Sequence, residues 1–224
     1  LEGQMESSSL DLNGQKLQAV EATVLVNKHR VDFPTARFMQ EQSEYLLSAG
    51  YNWESREIYG DVTVRQGSLA AMAAMGNLSD QGWSGMLDGT FSLSGTLKNP
   101  AARLNGTVSG AALRDYVLGD VTIDASYRDR VLSLNNVSVK QGNGFLLMRG
   151  VADLDGEINI EAGAREIDAR FFAAVFNSSL ETQGQLNFTA QITGKTASPH
   201  TAMSLEILNG SVAGAGFDKL YGLF

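Results

Sequence analysis

Residues 93–100 read LSGTLKNP, and residues 192–199 read ITGKTASP. In each, a glycine (Gly95, Gly194) precedes a proline (Pro100, Pro199) by five positions. The chain has only three prolines, so two in one context point to a repeated neighbourhood. Stepping back from the prolines, YGDVTVRQGSLAAMAAM (59–75) aligns with DGEINIEAGAREIDARFFAAVF (155–176), pairing Gly60 with Gly156, and Val62 and Val64 with Ile158 and Ile160. MLDGTFSLSG (86–95) aligns with ETQGQLNFTAQITG (181–194), and YLLSAGY (45–51) with FLLMRGV (145–151). RLNGTVSGAALRDY (103–116) aligns with ILNGSVAGAGFDKLY (207–221). The offsets lie between 96 (60 to 156) and 104 (104 to 208), which gives two copies of a unit of about 100 residues, cut at arbitrary points. Solenoid periods are shorter, about 20–50 residues, so each unit should hold several strands. The expected organisation is a partial first repeat over 1–59, a second over 60–155 and a truncated third over 156–224, in one continuous elongated domain. A duplicated compact domain is the alternative. The stretch PTARFMQEQSEY (34–45) departs from the rhythm of the rest.

Within a unit the hydrophobic period is two. VTIDASY (121–127) places Val121, Ile123, Ala125 and Tyr127 on one face and Thr122, Asp124 and Ser126 on the other. LNFTAQI (186–192) and MSLEI (203–207) alternate in the same way. Such alternation marks strands with one dry and one wet face. LNNVS, QGNG, DLDG and LNG read as turns between them, giving an antiparallel meander of six or seven strands per unit. The apolar face then collects Val62, Val64, Phe91, Leu93, Val121, Ile123, Leu132, Leu134, Val137, Val139, Ile158, Ile160, Leu186, Phe188, Ile192, Leu205 and Ile207. Two segments break the alternation and predict short helices at 68–76 and 168–177. Ser68 and Asp168 can cap them, and Gly76 and Asn177 can end them. Leu69, Met72 and Met75 share one helical face, as do Phe172, Val175 and Phe176. Helices this short are unstable alone, so they must pack on the sheet, plugging a core end or lining an apolar channel.

Charge and chemistry narrow the function. A net charge of −8 argues against nucleic acid, which requires clustered Lys and Arg, and against electrostatic docking on anionic lipid heads. With no cysteine, disulfides, zinc thiolates and thiol nucleophiles are excluded. The two histidines, His29 and His200, lie in charged or loop contexts without an acidic partner at useful spacing and read as surface residues. GKT (194–196) lacks the first glycine of a phosphate loop, since position 189 is Thr. DLDGEINIE (153–161) carries its glycine too early for a calcium loop. No serine elbow or H-E-x-x-H occurs, and the six Asn-x-Ser/Thr triplets arise from turn asparagines beside wet strand faces. The expectation is no enzyme, no metal and no cofactor. No apolar run reaches the ~18 residues of a membrane span, and the opening LEGQ suggests a segment of a longer protein.

The run GTFSLSGTLKNPAARLNG (89–106), in which strand, glycine, short turn, proline and strand follow one another, resembles repeats of the TamB family within the AsmA-like group. The succession of short strands over 115–160 and the segment IDARFFAAVFN (167–177) are similar to that family's strands and inserted helices. The resemblance covers most of 60–224 and transfers no active-site residue. It implies an elongated sheet folded into an apolar groove, in a periplasmic segment of an inner-membrane-anchored protein. It further implies phospholipid acyl chains as cargo and an Omp85-type outer-membrane barrel as partner. A periplasmic scaffold assisting outer-membrane protein assembly, and a repetitive adhesin, stand as alternatives.

Overall fold

The computed structural model describes residues 1–75, 82–175 and 178–224. The first strands are β1 (Glu2–Leu12), β2 (Gln15–Val26), β3 (Arg30–Gln40), β4 (Ser43–Asn52) and β5 (Glu57–Ser68), followed by helix α1 (Leu69–Met75) and β6 (Trp83–Thr96). The series continues through β7 (Pro100–Leu113), β8 (Tyr116–Arg128), β9 (Val131–Gln141), β10 (Gly144–Asp153) and β11 (Glu157–Asp168). Helix α2 (Phe171–Val175), β12 (Thr182–Lys195), β13 (Ser198–Val212) and β14 (Ala215–Leu223) complete it. The fourteen strands form one sheet in sequence order that does not close, so the chain is all-β with a minor helical part. Two compact units divide it: residues 1–108 with 126–129, and residues 109–125 with 130–224. The stretch 34–45, which departs from the rhythm in sequence, folds as a hairpin of β3 and β4 turning at Glu41 (φ 55°), with a register shift between Phe33 and Ala36 around Pro34.

The glycine–proline spacing is a property of one hairpin type. Thr96 and Asn99 exchange backbone hydrogen bonds of 3.1 Å in each direction around Leu97 and Lys98. Gly95 sits just outside that pair at φ +96°, and Gly194 occupies the same place at φ +94°, opposite Pro199. Proline donates no N–H and is therefore confined to strand starts and edges; here Pro100 opens β7. A Cβ on Gly95 would lie 2.5 Å from the Asn99 carbonyl oxygen, so neither the space nor the dihedral accepts a side chain.

The repeat is real, but its register differs from the sequence alignment. β5 and β11 are both twelve residues long with the same succession of buried and exposed positions. Each carries a bulge near its end, between Val64 and Gly67 and between Ala164 and Ile167, with Gln66 (φ 49°) and Glu166 (φ 52°) in the left-handed region. Gly60 therefore corresponds to Ile160, and Gly156 belongs to the turn before β11. Tyr45 corresponds to Leu146 and not to Phe145: Tyr45 and Leu146 lie opposite Val64 and Ala164, whereas Phe145 pairs with Arg165 on the other face. A slip of one residue reverses a strand's faces, so burial decides between such alignments. The offset of 104 likewise falls to 99, because Arg114 (φ 53°) and Ala213 (φ 49°) hold the same turn position. One repeat is thus six strands with a helix between the fifth and sixth, β1–β6 and then β7–β12, with β13 and β14 repeating the first two.

Two of the four expected turns are interruptions within strands. QGNG and DLDG turn the chain, but LNNVS lies inside β9 and LNG inside β13. A register shift opposite Met148 and Gly150 absorbs the first, and Asn209 in the left-handed region (φ 48°) absorbs the second. The helices also start later than expected, at Leu69 and Phe171. Ser68 and Asp168 end strands, yet both support the following turn: Ser68 Oγ accepts from Ala71 N at 3.3 Å, and Asp168 Oδ1 from Arg170 N at 2.9 Å. Gly76, Phe176 and Asn177 lie outside the described residues.

Gly95→Ala should destabilise the protein by roughly 1–3 kcal/mol in urea unfolding. Gly163→Ala, which meets nothing closer than 3.7 Å and needs no positive φ, should stay within about 0.5 kcal/mol of wild type.

Candidate functional site: one apolar sheet face

Directly opposed residues of an antiparallel pair share a face, so printed registers become rows across the sheet. In the second unit one row runs Val139–Leu146–Ala164–Phe188–Leu205, from β9 to β13. Beside it run Val137–Met148–Ala162–Ala190–Met203 and Leu134–Gly150–Ile160–Ile192. Leu132, Ala152 and Ile158 form a further row, and Ile167–Leu186–Ile207 another. In the first unit Met5–Ala22–Ala36–Leu47–Val62–Phe91 crosses six strands, flanked by Phe38–Tyr45–Val64 and by Phe33–Ala49–Gly60–Leu93. The registers therefore bring Val62, Val64, Phe91 and Leu93 together on one face in the first unit, and the expected residues of β9 to β13 together in the second. Val121 and Ile123, on β8, are half-buried.

Burial along this face is uneven. The deeply buried side chains gather beneath the helices: Leu17, Tyr45, Val64 and Leu87 near α1, and Tyr116, Leu146, Ile167, Leu186 and Phe188 near α2. Leu186 is 0% exposed, whereas Phe91, in the long row of the first unit, is 39% exposed. Between those limits most of the face, including Val62, Leu93, Leu132, Leu134, Val137, Ile158, Ile160, Ile192 and Leu205, is half-buried. The chain exposes 13552 Å² in total. A compact chain of 24.0 kDa exposes roughly 9,900 Å², so much of the sheet has no second layer over it.

Each helix reaches back over three strands to the first hairpin of its repeat. Asn13 Nδ2 donates to the Met75 carbonyl at 2.9 Å, and Arg114 Nη1 to the Ala174 carbonyl at 3.0 Å. A Cβ on Gly67 would lie 3.0 Å from Met72 Sδ, so the missing side chain seats α1 on its strand. Leu69, Met72, Met75 and Phe172 are half-buried, but Val175 is exposed. Phe171, absent from the expected stripe, does what Val175 does not. Its ring packs on Phe188 at 6.1 Å and on Tyr116 at 6.3 Å, while Phe172 packs on Phe188 at 5.3 Å. A single helical stripe excludes adjacent positions; two neighbouring aromatics on a one-turn helix can both reach the sheet.

Tyr116 anchors this end. Its hydroxyl receives a hydrogen bond from Gln141 Nε2 at 3.0 Å and donates to the Asp168 carbonyl at 3.3 Å. Burial pushes the phenol up to about 12, against the bond from Gln141. Burial also works to raise the Asp168 carboxyl, but its bonds from Arg170 prevail and hold it below the usual range.

The opposite face is polar and braced by charge pairs. Arg30 grips Asp32 with two 2.6 Å bonds while Tyr59 donates to the same carboxylate at 2.8 Å. Glu44 bridges Arg37 and Arg65, at 3.0 and 3.1 Å. A concavity of about 660 Å³ lies on this side, lined by Arg149, Glu161, Thr189, Gln191 and Ser204 and also by the apolar Leu147, Leu223 and Phe224. His29 has an acidic partner after all: Nδ1 lies 2.6 Å from Glu54 Oε1, contributed by the neighbouring turn. Among the described residues no three His, Asp or Glu side chains converge as metal ligands, and no helix is long and apolar enough to cross a membrane. No protein-family profile, curated protein or solved structure matches this chain.

Leu186→Ala should cost about 2–5 kcal/mol, and Ile192→Ala, on the same face but half-buried, only about 1–2 kcal/mol, in parallel chemical unfolding. Equal losses would mean that the face is covered throughout. Below pH 10 the Tyr116 phenol is neutral whether the chain is folded or unfolded. Between pH 10 and about 12 only the unfolded chain ionises there, so stability should decline across that window, and less steeply in Tyr116→Phe.

Proposed function

We propose that the half-covered apolar face is a lipid-binding surface on which acyl chains lie against the strands, in a segment of a protein that moves phospholipid between membranes. The observation that carries this reading is the unequal burial of the apolar face in each unit, dense under its helix and mostly half-open along the remaining strand length. From Ile58 to Val64 the first unit offers six residue steps, about 20 Å of strand. One leaflet of a bilayer holds its chains over about 15 Å, so the length fits. Covering a few hundred Å² of such surface is worth several kcal/mol at about 25 cal/mol per Å², enough to retain a chain and small enough to release it. The resemblance of 89–106 to TamB-like repeats supports the same reading. It also supplies the expected setting: a periplasmic segment, a membrane-anchored parent chain and an Omp85-type partner.

Photo-crosslinking side chains placed at Ile160 and Ile192 should capture phospholipid in cells, while those at Asn159 and Gln191, on the polar face of the same strands, should capture little. Capture of protein and no lipid from both faces would favour the scaffold reading.

A further inference from the structure

Every hairpin of a meander turns at one of two rims, and the rims of the first unit differ. One carries α1 and the dense core. The other is built from the β2–β3 turn (27–29), the β4–β5 turn (53–56), the β6–β7 turn (97–99) and the end of β8. These turns are tied in two pairs. Trp53 Nε1 donates to the Lys28 carbonyl at 2.8 Å, Trp53 N donates to the His29 carbonyl at 3.0 Å, and Asn99 Nδ2 donates to Asp129 Oδ1 at 2.7 Å.

Of the rim's acids, Asp32 is paired with Arg30 and Tyr59, Glu57 and Asp129 accept from Ser55 Oγ and Asn99, and Glu54 lies beside His29. Four of its cations have no such partner. Lys28, Arg56, Lys98 and Arg128 are exposed and form no ion pair among the described residues. Among them stand two exposed apolar side chains, Trp53 (41%) and Leu97 (64%). The Trp53 N–H is already satisfied, which leaves its ring as an amphipathic contact of the kind found where hydrocarbon meets head groups. Turns on one rim stand two strand spacings apart, about 10 Å, so flexible Lys and Arg side chains from neighbouring turns can converge on one phosphate. The net charge of −8 does not oppose this, because salt screens charges lying more than about 8 Å away.

We propose that this rim binds the phosphodiester of an anionic phospholipid whose chains lie on the apolar face, with Arg56 and a lysine of one adjacent turn, Lys28 or Lys98, as the phosphate-binding groups. The proposal rests on the lipid-binding reading above and adds head-group selectivity to it.

The test incubates the protein with vesicles of equal phosphatidylglycerol and phosphatidylcholine, re-isolates it and quantifies retained lipid by mass spectrometry. Wild type should enrich phosphatidylglycerol several-fold, and less so as salt rises. Lys28→Gln/Arg56→Gln/Lys98→Gln should retain total lipid within about twofold but lose the enrichment, with the melting temperature of wild type, since all three side chains are solvated. Lys28→Arg/Lys98→Arg should keep the enrichment. Excess inorganic phosphate should leave it standing, because the chains anchor the lipid; if phosphate abolishes it, the rim is a free-anion site and the proposal falls. Undiminished enrichment in the Gln variant overturns the rim assignment alone, whereas no retained lipid in either protein overturns the apolar-face reading and this one with it.

Discussion

Strand pairing puts every second side chain of a meander on the same side, and the bulges of this sheet shift the count without moving the apolar residues off that side. A closed barrel hides its apolar side by wrapping around it, and a sandwich does so with a second sheet. Here the sheet does not close, and the described residues provide two helices, Leu69–Met75 and Phe171–Val175, for fourteen strands. Those helices cover the strand ends they lie over and cannot cover more. Burial falls away from them along the strands as a consequence of that shortage.

Placing the helices requires local devices, and both repeats use the same ones. A bulge before the end of the fifth strand, marked by Gln66 and Glu166 in the left-handed region, turns the chain onto the apolar side. A polar side chain from the first hairpin, Asn13 or Arg114, then meets the helix carbonyls. In the second unit Phe171 and Phe172 lock onto Phe188, and Tyr116 exchanges hydrogen bonds with Gln141 and the Asp168 carbonyl beneath them. A polar network at the edge of an apolar cluster fixes where the helix sits, since its groups would lose their partners if the helix slid.

Period-two patterning carries face assignments well when one face is dry. That is why Leu132 and Leu134, and then Val137 and Val139, could be assigned to the same side although their parity changes between them. The asparagines that absorb the change read as a turn in sequence, because Asn in a bulge and Asn in a hairpin satisfy the same backbone preference. Alignment by glycines failed for a related reason: Gly60 lies within a strand and Gly156 in a turn, and composition alone does not distinguish them. The Tyr45–Phe145 alignment failed by one residue, a slip that only burial exposes. Phe171 was missed because helical periodicity assumes a helix long enough to have a single buried stripe. The tie between Trp53 and the Lys28 carbonyl joins turns twenty-five residues apart and leaves no local signal.

A filled scaffold and a lipid surface make different demands on the half-buried residues. In a filled scaffold each Ile or Val gains most by complete enclosure, and evolution can reach it cheaply with a longer helix or a larger side chain on the covering element. Such changes would give every row the burial found at Leu186. The repeats instead keep a short helix at the same place while most of the larger side chains on the rest of the face stay half-exposed or exposed, from Met5 to Phe91 in one unit and from Leu134 to Ile192 in the other, the small Ala22 and Ala152 being buried. On the proposed reading, a surface held incompletely covered in both copies has an occupant that comes and goes. An acyl chain would suit it, being apolar, narrow enough to lie along a strand and without any requirement for a matched side chain.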